Sequence, residues 1–178
     1  WSSDVCSSDL CNARLIQDVM DYSELYKKKG VMLCLDFQKA FDTVNWEFMT
    51  KVLEKFNFGQ DFIKWIKILY KDPKLVIKNN GWLSREINLS RGIRQGCPIS
   101  ALLFIMVVEK TAINIRNDDN VKGYKVYKRE IKISHYADDS TILLNDVDAI
   151  PYVLDIIKEF GDIAETKLNL EKTEGIPL

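Results

Sequence analysis

Histidine is nearly missing from this chain: His135 is the only one in 178 residues. A histidine-built zinc site is therefore excluded, and the four cysteines (Cys6, Cys11, Cys34 and Cys97) offer no C-x-x-C pair in its place. Cys34 sits inside an apolar run, the pattern of reduced, structural thiols and an intracellular setting. Long hydrophobic runs are missing too. The longest, Ala101 to Val108, falls far short of the ~20 residues a membrane-spanning helix needs. Excess charge is the third absence, since 25 Lys and Arg stand against 26 Asp and Glu for a formal net charge of −1. The field of the whole chain does not draw a polyanion, so any nucleic-acid contact must rest on local patches. What the sequence does have is apolar residues, 47% of the total with 11% aromatic. That is enough to bury one core, and one globular domain is expected.

The first eleven residues stand apart. "SSDVC" (2–6) is followed at once by "SSDLC" (7–11), a tandem near-repeat behind an initial Trp1 rather than Met. It has neither the apolar core of a signal peptide nor a helical period, and residues 1–11 are set aside as an artefactual or non-native leader. The domain proper is 12–178.

Along that domain the hydrophobic periods alternate. Leu15, Val19, Tyr22 and Tyr26 recur at helical spacing, with Gly30 expected to end the helix. "VMLCLD" is a continuous apolar run, which predicts a strand buried on both faces and finishing on Asp36. Trp46, Met49, Leu53 and Phe56 mark a second helix, and Phe62, Ile66 and Leu69 a third. "KLVIKNNGWLSREINL" reads as a hairpin turning at Asn80-Gly81. The stretch from about Pro98 to Arg116 is apolar nearly all round in its first half and predicts a central buried helix. Ile131, Ile133 and His135 alternate towards a second hairpin, with Thr141 to Leu144 leading away from its tip. Ile150, Val153, Leu154, Ile157 and Ala164 give a last amphipathic helix. The fold class is α+β: a small, largely antiparallel sheet backed by helices.

The tip of that second hairpin poses the chemical question. In "SHYADDSTILL" (134–144) two carboxylates, Asp138 and Asp139, stand between segments that favour burial. The same dipeptide at Asp118-Asp119 lies in "RNDDNV", where solvation explains it. A half-buried carboxylate pair needs a cation or a proton to be tolerable. Asp36, ending the buried strand, offers a third carboxylate. Three oxygen donors with no His or Cys cluster suit a hard cation such as Mg²⁺ rather than zinc. His135 reads as a strand residue and not a ligand. Whether Asp36 and Asp138, far apart in sequence, meet in space is left open by the residues alone.

Four segments in order, "LDFQKAFDTV" (35–44), "RGIRQGCPISALLF" (91–104), "YADD" (136–139) and "KLNLEKTE" (167–174), resemble the palm motifs of reverse transcriptases. "GIRQGCPIS" is most similar to the non-LTR (LINE-type) retrotransposon branch. The resemblance covers about residues 12–178. It implies a polymerase palm with partial fingers and an RNA-directed DNA polymerase, a nucleotidyltransferase acting with an RNA template, a DNA primer and deoxynucleoside triphosphates. It further implies two Mg²⁺ ions, with Mn²⁺ as a substitute, held by Asp36 and Asp138 with Asp139 beside them. Phe37 would lend a backbone carbonyl. Phe41 matches the aromatic gate that leaves no room for a ribose 2′-hydroxyl. Gln95 and Gly96 match the segment near nucleotide and template, where Gly lets backbone approach closely. Tyr136 lies in the signature and would be substrate-binding, with a packing role as its plainer reading. Lys172 matches the lysine proposed to protonate the departing pyrophosphate. On the same resemblance the remaining fingers are expected before residue 12 and the thumb after 178, so that the chain alone would not extend a primer. A retroelement protein divided between cytoplasm and nucleus is the expected setting.

Plainer readings stand beside these. Asp42 reads as the N-cap of the helix that follows, in preference to a catalytic group. Phe41 standing alone would be core, and Lys172 a solvated surface lysine. Lys122, Lys125, Lys128, Arg129 and Lys132, against only Glu130, form either a solvated edge or a rim that contacts phosphates. Ile99 and Ala101 depart from the C-P-L-S-P common in the third motif and predict a slight shift in packing. Three rivals share features of the chain. A viral RNA-dependent RNA polymerase would be expected to carry a carboxylate where Phe41 stands. A group II intron-type reverse transcriptase shares the chemistry. A non-catalytic RNA-binding domain of reverse-transcriptase ancestry predicts eroded carboxylates, and here all three are intact.

Overall fold

Four antiparallel strands form the backbone of the molecule, and each is placed by its apolar pattern. The computed structural model describes residues 9–136 and 139–178. The first helix, α1 (Asp9–Tyr26), takes in three residues of the segment set aside above. It stops earlier than expected, since Lys27 adopts a left-handed φ of 50° directly after Tyr26. Gly30 has a different task. A Cβ there would lie 2.4 Å from the Tyr124 ring, so glycine is required by close approach and not by helix termination.

β1 (Val31–Leu35) is the predicted buried strand, ending one residue before Asp36. A two-residue strand β2 (Phe37–Gln38) and a single helical turn α2 (Ala40–Thr43) follow. The helices α3 (Trp46–Lys55) and α4 (Gln60–Leu69) come next. The cap of α3 is Asn45, whose side chain accepts from the Phe48 N–H at 3.0 Å. Asp42 lies inside α2 and caps nothing downstream, which corrects the N-cap expectation: three residues of turn and loop separate it from the helix it was to cap.

The predicted hairpin forms as two short ladders, β3 (Lys74–Leu75) with β6 (Ile87–Asn88) and β4 (Lys78–Asn79) with β5 (Trp82–Leu83). Asn80 and Gly81 turn it at φ 47° and 85°, the left-handed pair that a two-residue turn demands. Trp82 on this arm is 83% exposed. The long helix α5 (Ser100–Asn117) buries Leu103, Phe104, Val107, Val108, Ala112 and Ile115, while Leu102 stays in solvent. Each large side chain buried there is worth roughly 1.5–3 kcal/mol, so packing rather than propensity fixes this β-branched helix. Its C-terminal carbonyls at Arg116 and Asp118 accept from the Lys132 ammonium at 2.9 Å each.

A small hairpin, β7 (Tyr124–Val126) with β8 (Arg129–Ile131), leads into β9 (Ile133–Tyr136) and β10 (Asp139–Leu144). A 3-10 turn opens α6 (Ile150–Ala164), followed by β11 (Lys167–Leu168) and β12 (Glu174–Pro177). The main sheet has the order β12-β1-β10-β9. Leu33, Leu35, Ile133, Ile142 and Leu144 face α3, α5 and α6, whereas Met32 and Leu143 face α1 with Val19 and Tyr124. Both faces of β1 are thus covered, as its unbroken apolar run requires. The expected α+β palm, a small antiparallel sheet backed by helices, is what the chain builds.

Candidate active site

Register brings two of the three carboxylates to one edge. β1 and β10 pair antiparallel with Leu35 opposite Ser140 as their last rung. Asp36 is the next residue on one strand and Asp139 the preceding one on the other, so both flank that rung on its open side. Alternation places Asp139 on the same face as Thr141, which is paired with Cys34. The Cys34 thiol reports this arrangement. Its pKa is pushed up by burial first and then by the negative charges of Glu174 and Asp139, so it stays a protonated thiol and not a nucleophile. Asp138 lies outside the described residues. The backbone of Tyr136 ends β9, paired with Asp139, and leaves only two residues between the strands.

Asp36 is half-buried and held from one side. Its Oδ2 accepts from the Asn169 amide at 3.1 Å, and its carbonyl accepts from the Asn169 N–H at 2.8 Å. The carbonyl of Asn169 in turn accepts from the backbone N–H groups of Lys172 and Thr173. One asparagine therefore ties the end of β1 to the loop that carries Lys172. Sequence reasoning passed over Asn169, although it stands inside "KLNLEKTE" three residues before the lysine. Among the described residues no lysine or arginine forms an ion pair with Asp36. A half-buried carboxylate with an amide partner and no protein counter-charge is a fitting ligand for a hard cation. Among the described residues no set of three acidic, His or Cys side chains surrounds a metal position; the expected set includes Asp138.

Asp36 opens onto a groove of about 780 Å³. Its walls carry Gln38, Lys39, Asp42, Arg91, Lys167, Asn169 and Lys172. Arg91 is engaged, donating to Glu165 at 2.8 Å, and Glu165 also accepts from the Asn45 amide at 2.7 Å. Lys39, Lys167 and Lys172 remain exposed along the groove. β11 lines it because Leu168 pairs with Phe37 and Lys167 with Gln38, a contact across some 130 residues.

The remaining predicted residues divide by role. The Phe37 ring is buried edge-on against Phe160 at 6.2 Å, so only its backbone faces the site edge. Phe41 stacks on Phe104 at 4.3 Å with an interplanar angle of 23°, which makes it half core and half surface. Gln95 donates from its amide to the Asp42 carboxylate at 3.3 Å. Gly96 adopts φ 82°, and a Cβ there would meet nothing within 4 Å; its backbone angle, not crowding, calls for glycine. The segment before it is latched to α2. The Gly92 N–H donates to Val44, Ile93 donates to the Phe41 carbonyl at 2.6 Å, and the Trp46 indole donates to the Gly92 carbonyl at 2.7 Å.

His135 behaves as the strand residue it was expected to be. Its Nδ1 lies 2.6 Å from the Ser140 hydroxyl and its Nε2 is shielded from solvent. Burial, with a smaller push from the Arg116 charge, lowers its pKa to about 4.

Comparison with known proteins agrees with this geometry. The sequence profile of the family described as reverse transcriptase (RNA-dependent DNA polymerase) matches residues 6–177. The chain is 26% identical, over 93% of its length, to a transposon TX1 protein of Xenopus laevis. It is equally similar, over 93% of its length, to the retrovirus-related Pol polyprotein of the type-2 retrotransposable element R2DM of Drosophila melanogaster. It spans only 13% and 16% of the length of these two relatives. Among solved structures, apo telomerase from Candida tropicalis matches 98% of the chain at a TM-score of 0.67, with 16% identity and 36% of that protein covered. That likeness bears on fold alone. The relatives bear out the resemblance to the retrotransposon, non-LTR branch. With carboxylates at the open end of a four-stranded antiparallel sheet, a lysine-lined groove beside them and a profile match over nearly its whole length, the chain belongs to the reverse transcriptase (RNA-dependent DNA polymerase) family.

Proposed function

We propose that this chain is the palm of an RNA-templated DNA polymerase from a non-LTR retroelement, adding deoxynucleotides to a primer 3′ end. The observation that carries this is the convergence of Asp36 and Asp139 at one end of the sheet, with Asp36 opening onto a groove lined by Lys39, Lys167 and Lys172. Carboxylates alone would repel a triphosphate, and lysines alone would not organise attack at its α-phosphorus. Together they suit a metal-bridged nucleotide.

Asp36, Asp138 and Asp139 would hold the divalent ions, Mg²⁺ or Mn²⁺, as an all-oxygen donor set does. Bound there, the ions would lower the pKa of the primer 3′-hydroxyl and take up charge on the triphosphate. The 3′-hydroxyl loses its proton to water, its oxygen bonds to the α-phosphorus, and the bond from that phosphorus to the α,β-bridging oxygen breaks, its electron pair leaving with pyrophosphate. The chain's own residues position these groups. Asn169 fixes one oxygen of Asp36 and leaves the other for a cation. Lys39 and Lys167 meet phosphate oxygens, and Lys172 Nζ donates a proton to the leaving pyrophosphate. Phe41, backed by Phe104, fills the space a 2′-hydroxyl would need. Gln95, held by Asp42, and Gly96 border the nucleotide and template. RNA template, DNA primer and deoxynucleoside triphosphates are the partners on this reading, in an intracellular setting that includes cytoplasm and nucleus. Among the described residues no helix is long and apolar enough to cross a membrane.

The test is primer extension on poly(rA)/oligo(dT) with Mg²⁺, using a chimaera in which residues 12–178 replace the matching segment of a polymerase-competent relative. Incorporation of dTMP that Asp138→Asn abolishes is expected. A chimaera that folds and binds primer–template but incorporates nothing would favour the non-catalytic RNA-binding alternative.

A further inference from the structure

The basic stretch 122–132 is not absorbed by the catalytic reading, and the structure gives it a partner. The β7–β8 hairpin lies against the C-terminal end of α1. The Tyr124 hydroxyl donates to the Lys28 carbonyl at 2.8 Å, Lys28 Nζ donates to the Lys125 carbonyl, and the Tyr127 N–H donates to the Tyr22 hydroxyl at 3.3 Å. This docking unites two short segments, 22–29 and 122–132, which together carry eight basic and two acidic side chains. In a chain of net charge −1 that is a marked local concentration of positive charge.

At its centre stand three tyrosines. The rings of Tyr22 and Tyr26 are 4.5 Å apart, and Tyr127 meets them edge-on at 5.1 and 6.1 Å. Tyr26 is 52% and Tyr127 74% exposed, so the cluster is not core. Tyr127 also occupies a turn position at φ 51°, where a bulky side chain is disfavoured and Asn or Gly would suit better. Of the two acids, Glu130 is occupied by the Gly123 N–H. Lys27, Lys29, Lys128 and Arg129 are exposed and, among the described residues, form no ion pair.

Exposed rings ringed by unpaired cations are the chemistry that binds a single nucleic-acid strand, with bases stacking on the rings and phosphates meeting the cations. The patch adjoins Gly30, at the end of β1 remote from Asp36, about 20 Å away along the strand. We propose that Tyr26 and Tyr127, with Lys27, Lys29, Lys128 and Arg129, form a second site that holds a single-stranded nucleic acid outside the catalytic groove. A duplex gains only the charge contacts there, because its bases are already stacked.

The test is fluorescence anisotropy with the chain, in EDTA so that metal-dependent binding at the groove does not enter, using a labelled 12-nucleotide RNA, the DNA of the same sequence and a blunt duplex. The double variant Tyr26→Ala/Tyr127→Ala is expected to weaken single-strand binding about tenfold or more while changing duplex affinity less than twofold. Lys128→Glu/Arg129→Glu, at an exposed turn, is expected to reduce the slope of log affinity against log salt by about two. Tighter binding of the RNA than of the DNA, or the reverse, names the strand this site holds. Parental affinity in both double variants, with circular dichroism unchanged, would overturn the proposal whatever the primer-extension result. Loss of duplex and single-strand binding alike in the tyrosine variant would also overturn it, since stacking would then not be the basis.

Discussion

On the proposed function, Phe41 is one side chain that serves packing and selection together. Its ring stacks on Phe104 and takes part in the core, so the plain reading of it as core is half right. In the chimaera described above, Phe41→Val should raise ribonucleotide incorporation relative to deoxynucleotide by tenfold or more, at a stability cost of about 1–2 kcal/mol. Equal loss with both substrates would leave Phe41 as core alone. On the same proposal, Asn169 acts on the reacting centre only through Asp36, to which it is hydrogen-bonded, and is a positioning residue. Asn169→Ala should weaken Mn²⁺ binding about tenfold, read by electron paramagnetic resonance, because the carboxylate loses the amide that orients it. Unchanged Mn²⁺ affinity would contradict this. His135 sets a pH dependence. Its folded pKa of about 4 lies below the ordinary 6.5, so stability is full above pH 6.5 and falls as pH drops towards 4. The loss reaches about 3 kcal/mol. Urea unfolding of the parent and of His135→Gln should diverge over that range and run parallel above it; curves parallel throughout would refute the assignment.

At the scale of elements, the latch between α2 and the segment 91–96 governs whether Phe41 and Gln95 are presented together. Gly92 is its tightest point, with φ 93° and a Cβ position 2.7 Å from the Asp42 carbonyl oxygen. Gly81 has a similar φ of 85° but open space around it. Gly92→Ala should therefore cost at least about 3 kcal/mol and Gly81→Ala about 1 kcal/mol, compared by chemical denaturation. Equal costs would show that the backbone angle alone matters and that the latch does not. This latch was not legible beforehand, because two of its three hydrogen bonds join backbone groups, whose pairing leaves no trace in residue type, and the third runs from the Trp46 indole to a backbone carbonyl. Asp42 was misread for a related reason: a carboxylate before a helix has the composition of a cap, and only the intervening turn α2 reveals that Asn45 takes that place. The pairings of β2 with β11 and β1 with β12 were likewise invisible, being two- and four-residue strands matched across more than a hundred positions. By contrast β1, α3, α5 and α6 were readable because burial imposes a period or an unbroken apolar run on the sequence.

For the whole molecule, one antiparallel sheet carries carboxylates at one end of β1 and a basic, aromatic patch at the other, and the near-zero net charge hides both. The ordered motifs made the palm legible at a distance that no single element could. What they could not supply is the docking of the β7–β8 hairpin on α1, since Tyr22, Tyr26 and Tyr127 read as ordinary helix and turn residues until they meet. Trp65 at 64% and Trp82 at 83% exposure are large apolar side chains left at the surface, the kind of surface on which a chain self-associates.

The central claim is that Asp36, Asp138 and Asp139 hold divalent ions at the open end of the sheet. It is tested most directly by replacing Mg²⁺ with Fe²⁺ in the purified chain and adding ascorbate, so that radicals formed at the bound ion cut the nearby backbone. Cuts clustered at Asp36 and around Asp138 and Asp139 are expected, suppressed by excess Mg²⁺ and abolished by Asp138→Asn. Cutting that is scattered along the chain, or that persists unchanged in Asp138→Asn, would contradict it.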